Sequence, residues 1–176
     1  MKTYARHASA QWLGTRQRGK GAINTPSAAL KMALHATSGD GKGGGTNPAE
    51  LIAAAIAGSF SLTLAHELGE AGYKPREIDT LVTVMLEHLA AGWTLTQILL
   101  AVTATVPRAA ECDFVDATLR AKANCPISRS LNANISMRAT LSQRGSTARL
   151  LHLRNGSAAR AGILPKKGLR RNGAKN

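Results

Sequence analysis

Apolar and polar positions alternate twice in the middle of the chain. Val82, Val84 and Leu86 alternate with Thr83, Met85 and Glu87. Ile98, Leu100, Val102 and Val106 alternate with Leu99, Ala101, Thr103 and Thr105. A two-residue period is the mark of strands. The short link Ala90-Ala91-Gly92 makes the pair a hairpin, and Pro107 ends it. Ile135, Met137, Ala139 and Leu141 repeat the alternation and predict a last strand. Before the hairpin the period changes. Asn47 is a good N-cap, Pro48 fits the first helical position, and Glu50 falls where a capping-box acid belongs. Leu51, Ala55, Ser59, Leu62 and His66 then share one face, which predicts a helix over 47–69, with Gly69 and Gly72 as stop signals. The run Ala53-Ala54-Ala55-Ile56-Ala57-Gly58 is apolar on nearly all sides, and such a helix is normally buried all round. Residues 111–123 suit a second helix with Phe114, Val115, Thr118 and Leu119 on one face. Cys125-Pro126 restarts the chain as a short helix. Residues 2–25 read as extended, with Trp12 and Ile23 among polar neighbours. Residues 26–45 carry no clear pattern, and five glycines in 38–45 make that segment a loop.

Composition divides the chain in two. Its 176 residues suffice for one domain with a real core. The formal net charge of +13 comes mostly from the end. Residues 142–176 hold nine of the 23 basic residues and no acidic one, so residues 1–141 are only mildly basic. Periodicity stops at Leu141. We therefore expect a folded domain over 1–141 and a basic, disordered tail over 142–176. No aromatic residue is interleaved with the tail's charges, which argues against base stacking and against nucleic acid as the main partner. The longest apolar run, Leu51 to Phe60, is only ten residues, so no spanning helix and no membrane partner are expected. The N-terminus lacks the apolar segment of a secretory signal. Two separate cysteines make neither a disulfide scaffold nor a zinc site, and a cytoplasmic protein with reduced thiols is the default.

Few residues invite chemistry. Cys125, before a helix start, is either a reactive thiol or a small buried hydrophobe. Cys112 lies between Glu111 and Asp113, whose charges disfavour a thiolate, so it reads as inert. Ser59 lies inside the apolar helix without a Gly-x-Ser-x-Gly elbow. Its bland alternative is a serine bonded back to a carbonyl one turn earlier. His66, seven residues on, lies roughly 10 Å away along the axis, too far to act as its base. The five histidines show no metal-ligand spacing, and Lys42 followed by Gly43 does not make a phosphate loop. No metal and no cofactor is expected.

The motifs taken together carry a resemblance. Gly45-Thr46-Asn47-Pro48-Ala49-Glu50-Leu51-Ile52 opens the small-residue helix. Ala57-Gly58-Ser59-Phe60-Ser61, Glu70-Ala71-Gly72-Tyr73 and Asn124-Cys125-Pro126-Ile127-Ser128 follow in order. Ala8-Ser9-Ala10-Gln11-Trp12-Leu13-Gly14 and Gly19-Lys20-Gly21-Ala22-Ile23 fit the first strands. Residues 6–141 thus resemble the OsmC/Ohr family of osmotically inducible and organic hydroperoxide resistance proteins, in the OsmC branch. The resemblance implies an α+β fold and an intertwined homodimer, with antiparallel sheets wrapped around long central buried helices. It also implies a two-cysteine hydroperoxide reductase recharged by a dithiol such as a lipoylated protein. One cysteine attacks the peroxide and the other resolves the sulfenic acid. By that match Cys125 holds the resolving position and Ser59 the peroxidatic one. The family's glutamate follows Asn-Pro directly, where this chain has Ala49, so Glu50 is a displaced acid about 100° further round the helix. The family's arginine precedes the Gly-Thr-Asn-Pro string, and residues 32–45 contain none. The expectation is therefore a family member with impaired or lost peroxidase activity. Two other functions compete with it: non-catalytic binding of a hydrophobic ligand on the same fold, and nucleic-acid binding through the tail.

Overall fold

The computed structural model describes residues 3–15, 19–34 and 45–142. Most of the glycine-rich loop and all of the tail beyond Ser142 lie outside the described residues, and with them the tail's expected disorder and its nucleic-acid alternative. Among the described residues nine elements follow in the order β1 (Ser9–Leu13), β2 (Lys20–Asn24), β3 (Lys31–Leu34), α1 (Pro48–Glu70), β4 (Glu77–Leu89), β5 (Gly92–Thr105), α2 (Glu111–Asn124), α3 (Pro126–Arg129) and β6 (Asn134–Ser142). The last strand therefore runs one residue past the predicted domain end. β3 arises in the segment that showed no pattern, because four residues are too few to display a period.

The strands form two three-stranded sheets, β1-β2-β3 and β4-β5-β6. The first is antiparallel throughout, and so is the β4–β5 hairpin, whose loop is Ala90-Ala91 followed by Gly92 at φ 104°. That positive φ is one that glycine takes without strain. β6 runs parallel to β5, so the second sheet is mixed rather than wholly antiparallel. The cause is the α2–α3 connection, which crosses over instead of turning back.

The core lies between the second sheet and the helices. Ile98, Leu100, Val102 and Ala104 of β5 meet Ile56, Phe60, Leu64 and Leu68 of α1 and Phe114, Ala117 and Ala121 of α2. No residue of β1, β2 or β3 belongs to this buried core. The first sheet packs on itself, with the Trp12 ring lying over Gly19 and Gly21 so closely that a Cβ at either would sit 2.6 Å or less from the nearest atom.

Two helix faces differ from expectation. On α1 the buried residues are Ile56, Phe60, Leu64, Glu67 and Leu68, while Ala55, Leu62 and His66 of the predicted face are exposed. A helix apolar on all sides has no periodicity to mark which side its own chain will cover, and the bulkier side takes the sheet. On α2, Val115 and Leu119 are exposed, and the small Ala117 and Ala121 pack inward beside Phe114 and Thr118. Small side chains there let α2 come close to α1.

The expectation that nothing reaches spanning length is also corrected. Over an 18-residue window α1 has a mean hydropathy of 1.5, enough by length and composition to cross a membrane. Counting only uninterrupted apolar runs conceals this, because Ser and Thr break the run without making the window polar. In the fold α1 is the central helix, with Ser61 bonded to Thr80 of β4 at 2.8 Å.

The ends of α1 are fixed locally. Asn47 Oδ1 accepts from the N–H groups of Ala49 and Glu50, both at 3.0 Å. After its C-terminus the Tyr73 hydroxyl donates to Asp113 of α2. That bond keeps the phenol protonated above its usual range. Phe114, next to it and fully buried, joins α2 to the core. Phe114→Ala should lower the unfolding free energy by about 3–5 kcal/mol, read from urea denaturation, with the far-ultraviolet spectrum of the folded state unchanged.

Candidate active site at the junction of the central helix and the Cys-Pro turn

Three side chains from two regions meet at one sulfur. Pro126 disfavours helical backbone at the residue before it. Cys125 accordingly sits at φ −61°, ψ 112°, closing α2 and opening α3. Its N–H still donates to Ala121 O at 2.9 Å, and its carbonyl accepts from Arg129 N–H at 3.0 Å, so its backbone is held on both sides. The side chain is 0% exposed. Its Sγ lies 3.3 Å from Ser59 Oγ of α1 and 3.1 Å from Ser128 Oγ.

These contacts set the thiol's acidity. Burial pushes it up, but hydrogen bonds from Ser128 and Ser59, then the backbone N–H groups of Ser128 and Ile127, outweigh burial and leave it below the ordinary thiol value. In the neutral form the thiol donates to Ser59 and accepts from Ser128. Once ionised it accepts from both hydroxyls.

Ser59 does not make the back-bond to a carbonyl one turn earlier; it is Thr63 that donates to Ser59 O, at 2.8 Å. The Ser59 hydroxyl is thereby left to the sulfur. Of the expected site residues, Ser59 and Cys125 are brought together. Glu50 is not in contact with them. It lies exposed in the first turn of α1 and accepts from Thr46 Oγ1 at 3.1 Å, about 13 Å along the axis from Ser59. His66 is exposed. Cys112 is exposed, and its Sγ lies 3.8 Å from Asp113 Oδ1. Among the described residues no three His, Cys, Asp or Glu side chains cluster as metal ligands.

The sequence pattern did not point to four residues that matter here. Ser128 could have been found: it stands three positions after Cys125, where a one-turn helix returns its side chain to the sulfur. The others form an ionic group one step away, in which Glu67 is buried and Arg120 and Asn124 are exposed. Glu67 of α1 accepts from Arg120 Nε at 2.9 Å and from Asn124 Nδ2 at 2.8 Å. A carboxylate between Leu64 and Leu68 on a buried face needs such partners. That was the available signal.

The class this defines is an α+β protein with a long central helix whose hydroxyl meets a Cys-Pro thiol. Comparisons with known proteins agree. The OsmC-like protein family profile matches residues 39–140. The chain is 39% identical over 136 residues to the peroxiredoxin OsmC of Escherichia coli K12, covering 77% of this chain and 95% of that one; the Shigella flexneri peroxiredoxin OsmC matches equally. Among solved structures, an OsmC-like protein from Vibrio cholerae aligns with a TM-score of 0.67 at 12% identity, over 78% of this chain and 99% of that one. An organic hydroperoxide resistance protein from Legionella pneumophila aligns with a TM-score of 0.60 at 22% identity, over 80% and 99%. This chain belongs to the OsmC family.

The Glu67 cluster carries a pH dependence. The Asn124 hydrogen bond, and then the Arg120 one, hold the Glu67 carboxyl below its usual range. A depressed folded-state value means that the stabilisation is present above the unfolded value of about 4.3 and is lost as pH falls through the folded one. Thermal unfolding as a function of pH should therefore show the native chain losing stability more steeply than Glu67→Gln on acidification below about pH 4.3.

Proposed function

We propose that this protein is a diverged OsmC-branch member in which Ser59 holds the peroxidatic position and Cys125 the resolving position. Its two-thiol reduction of organic hydroperoxides is then lost or strongly impaired. The observation that carries this reading is the 3.3 Å contact between Ser59 Oγ and Cys125 Sγ. Two side chains so placed suit a pair that must join covalently in one step of the cycle.

In the family's chemistry an attacking thiolate takes one oxygen from ROOH. It becomes a sulfenic acid, and ROH leaves. The second thiol then expels water to form a disulfide, which a dithiol such as a lipoylated protein reduces. A serine hydroxyl has no such oxidation ladder, and its alkoxide is scarce near neutral pH. The groups that lower the pKa of Cys125 are hydroxyls and backbone N–H groups, not a guanidinium. Arg120, five residues before it, is committed to Glu67.

The chain as it stands should consume cumene hydroperoxide with dihydrolipoamide no faster than its Cys125→Ser variant. Ser59→Cys should form one disulfide between the introduced thiol and Cys125 per equivalent of hydroperoxide, detected by mass spectrometry. Turnover by the unaltered chain matching an intact OsmC would refute the proposal.

The same reading makes the protein a homodimer. β1, β2 and β3 form a sheet with no core of their own. Ala54, Ala55, Gly58 and Leu62 line an exposed face of α1, with Leu62 76% exposed. A Cβ at Gly58 would meet nothing within 4 Å in its own chain, so there is room for a close partner helix. Sedimentation equilibrium should give a dimer, and Leu62→Glu should convert it to monomer or aggregate.

A further inference from the structure

We propose that Glu67, held by Arg120 and Asn124, is a positioning clamp that sets the contact between residues 59 and 125. The proposal rests on reading that pair as the reaction site. Both carboxylate oxygens are used: Oε2 by Arg120 Nε and Oε1 by Asn124 Nδ2. The two donors lie one turn apart on α2, so a single carboxylate fixes both the rotation and the slide of that helix against α1. Glu67 is 8% exposed, and its two donors reach it from the exposed side of α2. Asn124 is the residue peptide-bonded to Cys125, and Glu67 lies on the same rigid helix as Ser59, roughly 12 Å further along its axis. Displacement at the clamp is therefore passed directly to the Cys125 sulfur. The apolar contacts of Phe60 and Leu64 with α2 hold the helices together but are non-directional, so they do not fix the register that a 3.3 Å contact needs.

A carboxylate accepts at both oxygens, whereas a glutamine has one acceptor and one donor end. In Glu67→Gln the new NH2 can still donate to a flipped Asn124 amide while its oxygen accepts from Arg120, so the substitution that opens both arms of the clamp is Glu67→Ala.

The test uses the full-length chain carrying Ser59→Cys and Cys112→Ser, in which the disulfide between position 59 and Cys125 equilibrates with dithiothreitol. The equilibrium constant reads how well the two positions are held together. Glu67→Ala and Asn124→Ala should each lower it roughly tenfold, and Arg120→Lys, which keeps a cationic donor, should lower it less. Thermal unfolding is measured alongside, since a merely structural role shifts the melting temperature and leaves the constant of the folded protein alone. An unchanged constant in both variants overturns the clamp. If no disulfide forms in the Ser59→Cys background, the site reading falls instead. The clamp is then judged on Cys125 in the Cys112→Ser chain by ultraviolet titration of the thiolate. Glu67→Ala should raise the midpoint there, through loosened hydrogen bonds from Ser59 and Ser128, and an unmoved midpoint overturns the proposal.

Discussion

One buried sulfur between two hydroxyls organises this molecule. Cys125 has no solvent exposure, and a buried thiol without partners is simply a small hydrophobe. What changes its character is that Ser59 and Ser128 both lie within 3.3 Å of it. That arrangement requires α1 to run past the α2–α3 junction at close range. It also requires α2 to stop at residue 125, which Pro126 enforces. The small Ala117 and Ala121 on the buried side of α2 supply the close approach.

Much of this was legible in the sequence, for identifiable reasons. The hairpin and the last strand announced themselves because each has one side against the core. The start of α1 was legible because Asn47, Pro48 and Glu50 act through neighbouring backbone and need no tertiary context. The Ser59–Cys125 meeting was not legible from period or spacing, since 66 positions separate the two. It came only from the family resemblance. The helix faces misled because α1 is apolar on every side. The Glu67, Arg120 and Asn124 group went unseen because its partners lie 53 and 57 positions away. Only the oddity of an acid between two leucines pointed to it.

The outward side of α1 is explained by the same argument. The pattern that hid the buried face implied that no side should be left in water, yet the chain by itself leaves Leu62 exposed. A three-stranded sheet without a core has the same deficit. Two such surfaces in one chain, one a small-residue helix stripe and the other a sheet detached from the core, are what supports the proposed intertwined pair.

The electrostatics separate shape from chemistry. Glu67 and Arg120 pair with one another, so on the proposed reading these two charges act on the geometry of the Cys-Pro turn. The sulfur's own neighbours are dipoles: two hydroxyls and two N–H groups. Dipoles of this kind stabilise a thiolate without drawing a peroxide toward it, whereas a guanidinium does both. On the proposed reading, oxygen in place of sulfur at position 59 keeps the hydrogen bond to Cys125 while removing the attacking atom of the cycle. A site altered in this way would retain its architecture, which depends on contact, and would lose its cycle, which depends on an element.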